Sequence, residues 1–147
     1  MHELFDLIPK EEIDRIFAYE CNELDEEFLG FTEFYKALST IIPKHFVVID
    51  FGCYAALQGY YFKDHKAYIG VDISDVPKLS IQNAIYYKTT IQNFIANHEG
   101  GFDLGTTFAI CNYVPDDEAE ELVRKTYKNV FVFYPDGLNV ILKWRAA

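Results

Sequence analysis

The stretch that decides the fold is Phe46-Val47-Val48-Ile49-Asp50-Phe51-Gly52-Cys53, followed at nucleotide-site spacing by Ala67-Tyr68-Ile69-Gly70-Val71-Asp72. Each begins as an unbroken apolar run, the pattern of a strand buried on both faces of a parallel sheet. The first ends in a glycine, which lets the backbone bend and approach a ligand. The second ends about 20 residues later in an acid able to accept hydrogen bonds from ribose hydroxyls. Gly52 and Asp72 are therefore the two parts that a nucleoside pocket needs.

Working outward, strand and helix patterns alternate. Ala55 to Phe62 reads as a helix and Ala84 to Tyr87 as a short third strand. Thr90 to His98 reads as a helix capped by its threonine, and Gly100-Gly101 as a turn. Phe102 to Ile110 is a fourth strand, Pro115 to Lys128 a helix with acids early and bases late, and Val130 to Tyr134 a fifth strand. Tyr134-Pro135-Asp136-Gly137 signals a turn, and Leu138 to Trp144 a closing antiparallel strand. Upstream, Ile13, Ile16 and Phe17 place a helix between Pro9 and Tyr19. After a polar break at Asn22 to Glu27, the stripe Phe28, Phe31, Phe34, Tyr35, Leu38 and Ile41 or Ile42 places a second helix, ending before Pro43. The expected architecture is an α/β domain over residues 1–147. Its N-terminal helical cap (1–43) precedes a Rossmann-like, mostly parallel sheet flanked by helices (44–147) and closed by a C-terminal antiparallel strand. Ligands of such sheets sit at the carboxyl ends of the strands, which directs attention to 50–56, 72–75, 89–92 and 111–115.

Composition narrows the partners. With 147 residues, half of them hydrophobic, the chain can bury one substantial core. A formal charge of −10 argues against nucleic acid, whose binding relies on lysine and arginine releasing counterions. Small molecules or proteins are the expected partners, and an exposed terminal strand offers an edge for a homodimer. Cys21, Cys53 and Cys111 form no CxxC, and His2, His45, His65 and His98 lie at no metal-ligand spacing, so no metal is expected. An acidic start and the lack of a long apolar run point to the cytoplasm rather than to secretion or a membrane.

Val48-Ile49-Asp50-Phe51-Gly52-Cys53 resembles motif I of the class I S-adenosylmethionine-dependent methyltransferases, usually Val/Ile-Leu-Asp-Leu-Gly-Cys-Gly-x-Gly. Tyr68-Ile69-Gly70-Val71-Asp72-Ile73-Ser74 resembles their second motif more closely. A looser likeness extends from about Phe31 to Tyr134. The resemblance implies S-adenosylmethionine as cofactor, with Asp50 under its methionine end, Gly52 and Cys53 approaching it through backbone, and Asp72 on the ribose. It further implies Ile73 and the backbone of Ile91 at the adenine, and Asn112 beside the methyl donor.

The chain departs from that pattern at the second and third glycines, which are Tyr54 and Ala56, and at the third-motif acid, which is Thr90. Only about a dozen residues follow Tyr134, where the family continues with a helix and two strands. The ring of Tyr54 is expected either to fill the vacated part of the pocket or to bind the cofactor as a lid stacked near its methionine or adenine, with filling the commoner use of such a ring. Two functions follow: methyl transfer to a small molecule or protein side chain, in which no catalytic residue stands out, or a non-catalytic interaction or ligand-sensing module on the same fold.

Overall fold

The computed structural model describes residues 3–18, 26–112, 116–133 and 140–144. In chain order the elements are α1 (Glu3–Leu7), α2 (Lys10–Phe17), α3 (Glu26–Ile41), β1 (Val47–Phe51), a 3-10 segment (Leu57–Phe62), β2 (Ala67–Asp72) and β3 (Ala84–Lys88). There follow α4 (Ile91–Asn97), a 3-10 turn (Leu104–Thr106), β4 (Thr107–Asn112), α5 (Asp117–Thr126), β5 (Asn129–Phe133) and β6 (Val140–Trp144). Of the polar break expected at Asn22 to Glu27, residues 22–25 lie outside the described residues while Glu26 and Glu27 already belong to α3, and the turn at Pro135 falls in residues 134–139, also outside the described residues.

The sheet runs β3-β2-β1-β4-β5-β6. From β3 to β5 every neighbouring pair is parallel, while β6 pairs antiparallel with β5. Because the chain moves outward from β1 in one direction and then starts again beside β1 with β4, a topological switch lies between β1 and β4. Strand ends near such a switch leave a crevice that no crossover fills.

The pleat of β1 sorts its side chains. Ile49 and Phe51 face α4 and α5, joining Phe94, Ile95, Ala119 and Val123 in one buried layer. Val48 faces the other way, joining Tyr35 and Leu38 of α3 and Ile42 just past its end. Burying apolar side chains of this size is worth about 1.5–3 kcal/mol each. A third cluster seats Leu4, Ile8 and Ile16 from the α1–α2 region against Ala55, Leu57, Val76 and Leu79. The N-terminal helices thus press on the turn after β1.

Two expected elements differ. The helix expected over Ala55 to Phe62 is a 3-10 segment beginning at Leu57, because Ala56 takes a left-handed conformation (φ 58°) that no α-helix can incorporate. The strand expected from Phe102 starts only at Thr107. Asp103 caps a tight turn by accepting from the Gly105 amide at 2.9 Å, and its carbonyl accepts from the Thr107 hydroxyl at 2.7 Å. The threonine cap of α4 is present, Thr90 Oγ1 accepting from the Asn93 amide at 3.1 Å. No described helix is long and apolar enough to cross a membrane.

Candidate functional site

The turn after β1 is held almost entirely from within the chain. Gly52, at φ 80°, allows the reversal, and its amide donates to the Val71 carbonyl at 2.7 Å. The Cys53 amide donates to the same carbonyl at 3.3 Å, and the Ala56 amide to the Cys53 carbonyl at 2.8 Å. The Tyr54 amide donates to Asp72 Oδ2 at 2.9 Å, which ties the turn to the end of β2. Tyr54 (φ 50°) and Ala56 (φ 58°) both sit in left-handed backbone. For residues bearing a Cβ this costs about 1–2 kcal/mol each. The turn therefore has left-handed backbone at the two positions where Tyr54 and Ala56 replace glycines, and the buried neighbours Ala55 and Leu57 hold it there.

Beside this turn lies a cavity of about 290 Å³ at the carboxyl ends of β1, β2 and β3. Gly52, Val71, Asp72 and Ile73 form one wall, Thr89 to Gln92 a second, and Asp116 and Ala119 at the start of α5 a third. Asp72 is part-buried, its Oδ1 accepting from the Ser74 amide at 2.7 Å as Oδ2 accepts from Tyr54. An ionised carboxylate offers about four acceptor positions, so both oxygens can still receive a ligand hydroxyl. Ile91 is buried and Ile73 is 69% exposed, which gives the cavity apolar surface on two sides. Across the third wall, Gln92 Nε2 donates to Asp116 Oδ2 at 3.1 Å, while Asp116 caps α5 through the amides of Glu118 and Ala119.

On the opposite face of β1, Asp50 is fully buried. Tyr35 of α3 donates to its Oδ1 at 2.8 Å, and Gln58 Nε2 (2.9 Å) and the Tyr68 hydroxyl (2.5 Å) donate to its Oδ2. Burial raises its pKa to about 6, although the three hydrogen bonds favour the ion. The same Gln58 amide donates to the Cys53 carbonyl at 3.0 Å. The thiols of Cys53 and Cys111 are buried, and desolvation pushes Cys111 up to about 12 and Cys53 well above its ordinary value. Neither is a thiolate nucleophile at neutral pH.

Of the residues that the sequence singled out, the cavity brings together Gly52, Asp72, Ile73 and Ile91. Asp50 and Cys53 do not line it, because the pleat turns Asp50 toward α3 and Cys53 packs in the α3-side layer. The side chain of Asn112 and residues 113–115 lie outside the described residues, although the backbone of Asn112 ends β4. Tyr54 needs a correction. From left-handed backbone, its ring does not line the cavity but packs against the buried cluster that joins Leu4, Ile8 and Ile16 of the α1–α2 region to Ala55, Leu57, Val76 and Leu79. Asp116 and Ala119 escaped the site prediction. The acids before the helix are legible as a helix start, yet their place at the cavity follows only from β4 standing next to β1.

The strand order and the cavity together define a Rossmann-like, doubly wound α/β protein. No protein-family model matches the chain, and no curated protein matches it in sequence. Solved structures similar to it include a protein assigned as a type II methyltransferase from Anaeromyxobacter dehalogenans (12% identity, TM-score 0.48, 69% of this chain and 47% of that one). WbdD, co-crystallised with a kinase inhibitor, is similar at 19% identity and TM-score 0.48 over 76% of this chain and 30% of that one. The plantazolicin methyltransferase BpumL, in complex with a monoazolic desmethylPZN analog and SAH, is similar at 15% identity and TM-score 0.46 over 88% of this chain and 61% of that one. This chain thus spans less than two thirds of each.

Proposed function

We propose that this methyltransferase-like chain holds the adenosyl part of an S-adenosylmethionine-type ligand in the β1–β3 cavity and acts as a ligand-sensing module without transferring a methyl group. The observation that carries the reading is Asp72: a part-buried carboxylate on the cavity wall between the Gly52 turn and the exposed Ile73. Its free acceptor positions suit the two ribose hydroxyls, and Ile73 and Ile91 offer apolar faces to a base. S-adenosylmethionine, where bound, would supply a sulfonium-activated methyl group. Against transfer stand the burial of Asp50 beneath its three donors and the internal hydrogen bonds of the turn amides.

Methyl transfer to a small molecule or a protein side chain is the second reading. What favours it is the extension of the cavity from Asp72 to Asp116, past the end of β4, which leaves room for an acceptor beside the adenosyl group. Methyl transfer needs mainly proximity and alignment, so this reading requires no dedicated general base.

Thermal-shift titration separates binding from no binding, since a ligand of the folded state raises its stability in proportion to ln(1 + [L]/Kd). Adenosine, S-adenosylhomocysteine and S-adenosylmethionine form the panel. At least one is expected to raise the midpoint, and Ile73→Asp, at an exposed position that leaves the fold intact, is expected to abolish the shift. No shift from any of them at millimolar concentration overturns the proposal. Label passing from methyl-labelled S-adenosylmethionine to an acceptor would establish the second reading.

A further inference from the structure

The cavity is distinctive for what surrounds it. Its charged lining residues are Asp72 and Asp116, and no lysine, arginine or histidine lines it among the described residues. A phosphate or carboxylate brought there meets like charge without a counterion, which disfavours it at short range. The neighbouring turn cannot compensate, because the amides of Gly52, Cys53, Tyr54 and Ala56 already donate within the chain. Nor is the acid behind the turn free to receive an ammonium group: Asp50 is fully buried beneath Tyr35, Gln58 and Tyr68.

Space points the same way. Ala55, Ala56 and Leu57 have no exposed surface: Ala55 and Leu57 are buried in one cluster with Leu4, Ile8, Ile16 and Leu79, against which the ring of Tyr54 packs, and Ala56 is buried in the layer that includes Tyr35 and Leu38 of α3. The Leu79 amide fastens that covering segment to the Ala55 carbonyl at 2.9 Å. What remains open is about 290 Å³, at the small end of the ~300–1,000 Å³ typical of small-molecule sites.

From this charge pattern and this closure we infer that the ligand is an uncharged nucleoside ending at a short 5′ substituent, adenosine or a 5′-thioether of it, rather than one with an amino-acid or phosphate tail. The inference rests on the reading that the cavity takes an adenosyl group. It adds that the turn beside the cavity is closed and that, among the described lining residues, no cation stands ready for the carboxylate or phosphate of a tail.

Calorimetric titration of the full chain with adenosine, 5′-methylthioadenosine, S-adenosylhomocysteine, S-adenosylmethionine and adenosine 5′-monophosphate tests it. The two uncharged nucleosides are expected to bind at least tenfold more tightly than each of the three charged compounds. Binding of any charged compound as tightly as adenosine, or more tightly, overturns the inference while leaving an adenosyl site in place. Failure of all five to bind removes the adenosyl site itself, and the inference with it. Ile73→Asp serves as the control that the heat arises in this cavity, and a titration it does not weaken also overturns the assignment.

Discussion

The hydroxyl of Tyr35, on α3, donates to Asp50 Oδ1 on β1 at 2.8 Å, so the helix covering one sheet face is tied to a carboxylate with no exposure to water. Desolvation raises the pKa of that carboxylate to about 6, and the nearby charge of Asp72 adds to the rise. In the unfolded chain the group ionises near ~3.9. Between the two values the folded protein retains a proton that the unfolded chain has released, so this group's contribution to stability falls as pH rises through the window. The loss amounts to about 3 kcal/mol. Gln58 Oε1, buried and without a partner among the described residues, can accept the proton of neutral Asp50 if the amide rotates. Denaturant unfolding of wild type and Asp50→Asn at several pH values checks this. The wild type should lose stability relative to the variant between about pH 4 and pH 6 and run parallel to it outside that range.

Tyr35→Phe keeps the buried ring and removes one of the three donors to Asp50. A hydrogen bond to a charged group contributes about 1.5–3 kcal/mol, so the variant should be less stable by about that amount at pH 7. Fewer donors also leave the ion less favoured, and the upper end of the titration window should move above 6. The same unfolding series measures both effects, and a destabilisation that does not change with pH would contradict this account.

Two adjacent alanines give opposite expectations. Ala56 holds left-handed backbone (φ 58°), and Ala56→Gly should stabilise the chain by about 0.5–1 kcal/mol. Ala55 is equally buried but keeps negative φ, and Ala55→Gly should destabilise by about 1 kcal/mol. Urea midpoints of the two variants decide it, since burial alone would give both the same sign.

Gly70 sits in β2 where an added Cβ would lie 2.6 Å from a ring carbon of Tyr86 and 2.8 Å from Cys53 Sγ. Gly70→Ala should therefore overpack the layer and destabilise by about 1–3 kcal/mol. Equilibrium unfolding measures the cost. A stability equal to wild type would show that Tyr86 and Cys53 can both withdraw.

Much of the scaffold was legible because it depends on local pattern. The apolar runs at Val48 and Ile69 form parallel strands in the register Val48 to Tyr68 and Ile49 to Ile69. Thr90 caps its helix as its side chain predicts, since capping needs only an oxygen near the first amides. The segment Ala55 to Phe62 was less legible. Its apolar spacing suits a helix, but burial of Ala56 in the α3-side layer, and of its neighbours Ala55 and Leu57 against the α1–α2 region, goes with a conformation that the propensity of Ala56 opposes.

Gly52 and Asp72 show what sequence by itself determined: a strand-ending glycine and a strand-ending acid at nucleoside-site spacing, which parallel pairing of β1 and β2 brings to one wall of a cavity. Only the tertiary structure decided that Asp50, two residues before Gly52, faces away from that cavity toward Tyr35, and that Tyr54, two residues after it, joins the N-terminal helices. Proximity in sequence places a backbone at the site. Which way each side chain turns is set by the pleat, by the left-handed turn, and by helices whose residues lie far away in the chain.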